Sequence, residues 1–145
     1  MDYNAINTII SKAFFKEQKI ILGDYDDKTV GITIDGLVMW FIPENIFLFD
    51  KDKLLKDRKR VTINRYVKTE GYTDAVRTNE LISFDKKTLA VFKNDDTEVY
   101  VDLKLLKVFD PRVSSYKIKN ATSGVLVYEG DELVGFVMPT RYTKK

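Results

Sequence analysis

Thr97-Glu-Val-Tyr-Val-Asp102, Leu103-Lys-Leu-Leu-Lys-Val-Phe109, Asp110-Pro111 and the closing run Leu133-Val-Gly-Phe-Val-Met-Pro139-Thr-Arg-Tyr142 are the segments whose reading decides the fold. Val99 and Val101 alternate with Glu98 and Tyr100, the period-two pattern of a strand. Asp102 is placed to cap a short helix, and Asp110-Pro111 must stop it, because a residue before proline is pushed out of the α region. Strands are expected over Ser115–Asn120, Gly124–Tyr128 and Leu133–Met138, the last two joined by a turn at Glu129-Gly130-Asp131. The order is strand, helix, then three strands.

Working outward, the other end of the chain echoes this one. Leu37-Val-Met-Trp-Phe-Ile-Pro43 matches Leu133-Val-Gly-Phe-Val-Met-Pro139 as Leu-Val-x-aromatic-Φ-Φ-Pro, where Φ is apolar. The same offset of 96 residues lays Ile9 and Ile10 on Leu105 and Leu106. Ile6, Ile9, Ile10, Ala13 and Phe14 recur at three- and four-residue spacing, so 3–17 reads as a helix with Asn7, Thr8, Ser11, Lys12 and Lys16 largely on its other side. A strand over 19–23, the acidic turn 24–27, and strands 29–34 and 37–42 around Asp35-Gly36 follow, the last a dipeptide suited to a tight primed turn. A helix followed by three strands is therefore expected twice.

This organisation resembles a domain of the DNA sliding clamps, the processivity factors of replicative polymerases. Their domains have two similar halves about a pseudo-two-fold axis, and the bacterial members end in Φ-Φ-P-x-R, as Val137-Met138-Pro139-Thr140-Arg141 does here. The resemblance implies an α+β fold: one clamp-like domain over 1–145, built from two helix-plus-antiparallel-strand halves, 1–43 and 97–142, around a divergent basic linker and hairpin, 44–96. It implies a non-catalytic DNA-replication accessory protein that contacts duplex DNA, a polymerase or another replication protein, and that forms a homo-oligomer. Met138 and Pro139 are then expected on the wall of a peptide pocket and Arg141 at its rim, with Val137 and Tyr142 in the same tail. Family chains carry several domains where this one has a single domain's length, so a ring would need more copies, and a phage or mobile-element relative is the implied source.

Residues 44–96 fit the resemblance least. Asn45–Phe49 is apolar, Asp50–Asp57 suits a short helix around Leu54 and Leu55, and Val61–Val67 alternates as a strand does. Thr69–Asp74 reads as a loop, and Thr88–Lys93 and Thr97–Val101 pair across Asn94-Asp95-Asp96. Lys51 to Lys68 holds eight basic residues against Asp52 and Asp57, a local net of +6 in a chain whose total is +2. Such asymmetry marks candidate phosphate contacts at Lys51, Lys56, Arg58, Lys59, Arg60 and Arg65, with Lys12 and Lys16 on the first helix and Tyr66 as a stacking side chain. The blander reading of the same run is a solvated charged face.

Composition narrows the chemistry. With 44% hydrophobic and 32% charged residues, 145 residues describe one ordinary globular domain able to bury roughly 68–70% of its unfolded surface. The sequence contains 0 His, which removes the usual general base near neutral pH and any Ser-His or Cys-His nucleophile pair. It has no glycine-rich phosphate loop, and the Asp24–Asp27 cluster lacks the glycine and distal glutamate of a calcium loop. No enzyme and no cofactor is therefore expected, with carboxylate-based catalysis as the surviving enzymatic alternative. With 0 Cys there is no disulfide framework. Met1-Asp2-Tyr3-Asn4 lacks a basic leader, and no apolar run approaches the roughly 20 residues of a membrane span, so a cytoplasmic protein without a membrane partner is expected. The rival function is a phage-type protein-binding module that mimics or inhibits a host replication component without touching DNA.

Overall fold

Asp2 opens the first helix, α1 (Tyr3–Phe15), by accepting a hydrogen bond from the Ala5 amide at 3.0 Å. This satisfies one of the donors a helix N-terminus leaves free. In this computed structural model, which describes residues 1–56, 61–63 and 67–143, α1 buries Ile6, Ile10 and Ala13. Full burial of each isoleucine is worth about 1.5–3 kcal/mol. The helix ends before Glu17, whose φ of 57° lies in the left-handed region.

The chain divides into two compact units, Asp2–Lys68 and Thr69–Lys145 with Met1. The first contains α1, a meander of β1 (Ile21–Asp24), β2 (Thr29–Thr33) and β3 (Val38–Pro43), helix α2 (Lys51–Leu55), and the two-residue β4 (Val61–Thr62). Strand order is β4-β1-β2-β3. The β2–β3 turn forms where Asp35-Gly36 stands: Gly36 has φ 76°, its amide bonds Thr33 Oγ1 at 3.1 Å, and the Leu37 amide bonds Asp35 Oδ1 at 2.9 Å.

Two glycines shape this unit. Gly23 and Gly31 are direct partners on β1 and β2. A Cβ at Gly23 would stand 1.9 Å from the Val61 carbonyl oxygen, and one at Gly31 would stand 3.0 Å from the Ile63 side chain. The bare backbone thus lets β4 approach and seats Ile63, which is fully buried. β4 pairs with β1 in parallel, which departs from the expected all-antiparallel arrangement. Of the strand expected over 61–67, residues 64–66 lie outside the described set.

The second unit orders its strands β10-β9-β8-β5-β6-β7. These are β5 (Thr73–Phe84), β6 (Lys87–Lys93), β7 (Glu98–Asp102), β8 (Ser114–Ile118), β9 (Val125–Glu129) and β10 (Glu132–Val137), all paired antiparallel within the unit. Its core includes Leu89, Phe92, Val99, Val101, Ile118, Leu126 and Val137. Phe92 meets Tyr116 edge-on at 4.8 Å.

The molecule is mixed α+β, and in each unit a helical segment precedes a three-strand antiparallel meander. Val38 and Val134, matched by the internal echo, are both buried. Two expectations are corrected. The helix expected over 103–109 is a 3₁₀ helix, Leu103–Leu106, capped by the Asp102 carboxylate on the Lys104 amide at 3.1 Å. Leu106, Val108 and Phe109 are all buried, a set wider than one stripe of a straight α-helix presents. The second correction is β5: Thr73 and Asp74, expected in a loop, open a strand of twelve residues.

β5 shows why it was missed. Its register on β6 shifts between Arg77 and Leu81, a bulge at which Thr78 Oγ1 bonds the Val91 carbonyl at 3.0 Å. Only Thr73–Ala75 also pairs with β8, and most of the strand is exposed. A bulged, largely solvated strand has no apolar alternation to read.

Candidate nucleic-acid interface

A ring contact joins the end of α2 to the end of α1 in the first unit, and basic residues stand near both ends. Asp50 caps α2 by accepting from the Asp52 and Lys53 amides at 3.0 and 3.2 Å, and Leu54 and Leu55 anchor the helix in the core. Lys56 then turns the chain in the left-handed conformation, φ 46°. Its ammonium lies 4.8 Å over the ring of Phe14, a cation–π contact that ties the end of α2 to the end of α1. Lys12 stands exposed on α1, and Lys16, the residue that caps the end of the helix, is exposed as well. Among the described residues Lys12, Lys16 and Lys56 form no ion pair.

Lys51, a further candidate, behaves differently. It is ion-paired to Glu44, and its side chain is only 17% exposed. Arg58, Lys59, Arg60 and Arg65 lie outside the described residues, as does Tyr66. Lys12, Lys16 and Lys56 are therefore exposed cations without an ion pair among the described residues, whereas Lys51 is paired with Glu44.

The tail forms a separate feature in the second unit. Val137 is fully buried, so its side chain serves the core. Met138, Pro139 and Tyr142 are half-buried and Arg141 is exposed. The Thr140 amide bonds the Tyr100 carbonyl at 2.7 Å, which ties the tail to β7. Tyr142 makes edge-on contacts with Tyr100 at 4.9 Å and Phe84 at 5.1 Å, beside Leu89, Val91 and Ile82. Tyr142 thus seats the end of the tail on this apolar cluster.

A polar group adjoins that cluster. The Tyr100 hydroxyl donates to Glu98 at 2.5 Å, and Lys93 Nζ lies 3.3 Å from Glu98 and 3.4 Å from Glu80. Burial, and then the Glu98 hydrogen bond, push the Tyr100 phenol up to about 12. The phenol is therefore protonated at neutral pH and acts as a donor. Among the described residues no group of three or more Asp or Glu is arranged to hold a metal ion. No helix among them is long and apolar enough to cross a membrane.

Two features of these sites escaped the sequence. Glu80 and Lys93 become neighbours only through β5–β6 pairing, which no local pattern announces. Phe15 follows Phe14 at the end of α1 and is 82% exposed. Its signal was present in the sequence as a second aromatic off the apolar stripe, next to Lys16. No protein-family model, curated protein or solved structure matches this chain.

Proposed function

We propose that this chain is a non-catalytic DNA-binding accessory module that meets phosphates through the α1–α2 corner without reading base sequence. The observation that carries the reading is that Lys12, Lys16 and Lys56 are exposed and, among the described residues, form no ion pair. Lys56 lies within the basic run from Lys51 to Lys68. Cations left unpaired and exposed release counterions when they meet phosphate, so binding weakens steeply with salt. The repeated order of helical segment and meander supports a sliding-clamp kind of architecture for the module, working on duplex DNA.

The test is fluorescence anisotropy of labelled mixed-sequence DNA at low and moderate salt. Lys12→Glu combined with Lys16→Glu should lower affinity about tenfold or more and flatten the salt dependence, whatever the sequence. Wild-type protein that leaves DNA unbound at low salt would reject the reading.

A second reading, capture of a replication protein by the tail, is supported by the half-exposed Met138 and Pro139 and the exposed Arg141 beside an aromatic cluster. It makes the phage-type protein-binding module the alternative function.

A further inference from the structure

Phe15 has no structural task that accounts for its position. It is the most exposed large apolar side chain among the described residues, at 82%, while its neighbours Phe14 and Ala13 turn inward. An edge-on contact with Phe14, with ring centroids 5.9 Å apart and planes at 72°, is its recorded ring contact. Such a contact covers at most one face of the Phe15 ring, so the other remains open to a flat partner. Lys12, three positions before it, lies on the same side of the helix, and exposed Lys16 follows it in the chain. Lys56 lies over the neighbouring Phe14 ring and so ties the end of α2 to this end of α1.

We infer that Phe15 is a base-stacking side chain and that the α1–α2 corner takes single-stranded nucleic acid. The inference rests on the phosphate-contact reading above and replaces its duplex ligand with an unpaired strand. A protruding aromatic ring near unpaired lysines matches a strand in two respects, since bases offer flat apolar faces and the backbone offers regularly spaced negative charge. A closed duplex offers only the second, because its base faces are already stacked on each other. A membrane surface fits less well: on α1 the other strongly exposed apolar side chain is Ile9, at 39%, so the helix lacks the continuous apolar side that interfacial helices insert. One ring is likewise too small to be the apolar centre of a protein interface.

The experiment uses the full chain and three probes: a labelled oligothymidine, a labelled duplex carrying the same number of phosphates, and vesicles containing phosphatidylserine. Wild type should bind oligothymidine more tightly than duplex. Phe15→Ala should weaken oligothymidine binding about tenfold without changing its salt dependence, because the ring carries no charge. Phe15→Trp should restore it. The paired Lys12→Ala, Lys16→Ala change should instead lower the salt dependence on both nucleic acids. Thermal melting of Phe15→Ala should match wild type, since so exposed a ring contributes little to the core. Equal affinity for both nucleic acids, unaffected by Phe15→Ala, would overturn the stacking role and leave phosphate contact standing. Vesicle binding lost in Phe15→Ala, with no nucleic acid bound, would overturn both and assign the corner to an anionic lipid surface.

Discussion

Tyr100 shows how much one residue's neighbours decide. From the sequence it is one aromatic in an alternating strand. In the fold it is 8% exposed, holds the tail through its carbonyl, contacts Tyr142 and donates to Glu98. A phenol held near 12 in the folded state, against the ordinary 10, binds its proton more tightly when folded. Its contribution to stability is therefore complete below about pH 10 and is lost as pH rises from about 10 to about 12. Tyr100→Phe should accordingly show a shallower fall of melting temperature than wild type across that window, in scans by circular dichroism. Matching slopes would mean that the phenol is not coupled to folding. The same scale explains the glycine pair. Gly23 and Gly31 are ordinary glycines in the sequence, and only the approach of Val61 and Ile63 gives them a reason.

At the scale of elements, legibility followed local periodicity. α1 was readable because its apolar residues recur on one side, and the β2–β3 hairpin because Asp35-Gly36 matches the turn it forms. The short helix expected after Asp102 forms as a 3₁₀ helix at 103–106, a distinction that capping by Asp102 does not make in sequence. β5 was lost because its bulge and exposure erase alternation. The tail was found as a motif, but not as a strap seated on β7. Its seating predicts a contrast that urea denaturation can read. Tyr142→Ala removes the contacts with Phe84 and Tyr100 and should cost about 1–3 kcal/mol. Arg141→Glu, at an exposed position, should stay within about 0.5 kcal/mol of wild type. If Arg141→Glu nevertheless abolishes capture of a replication protein, the tail reading of function gains its support. Equal stability of Tyr142→Ala and wild type would mean that the strap is idle.

For the whole molecule, charge and assembly are the open levers. A net charge of +2 is too small to draw polyanions unaided, so any DNA affinity must come from where the cations stand. A clamp-like ring around duplex DNA requires several copies of a chain this short, so native mass spectrometry should record a multiple of the monomer mass if that architecture operates. A monomer at all concentrations, together with salt-sensitive DNA binding, would leave the corner as a binding site and remove the ring. The mixed α+β class, the two helix-and-meander segments, and the basic bias of residues 51–68 were determined by the sequence alone. Each rests on spacing within a few residues, which backbone geometry converts directly into helix, strand or turn. Tertiary structure alone decided which lysines are neutralised, since Glu44 reaches Lys51 while Lys56 lies over Phe14. It also decided the bulged β5, the parallel β4 and the seat of the tail. These depend on partners distant in the chain, and side-chain chemistry at one position carries no record of which distant backbone will come to lie beside it.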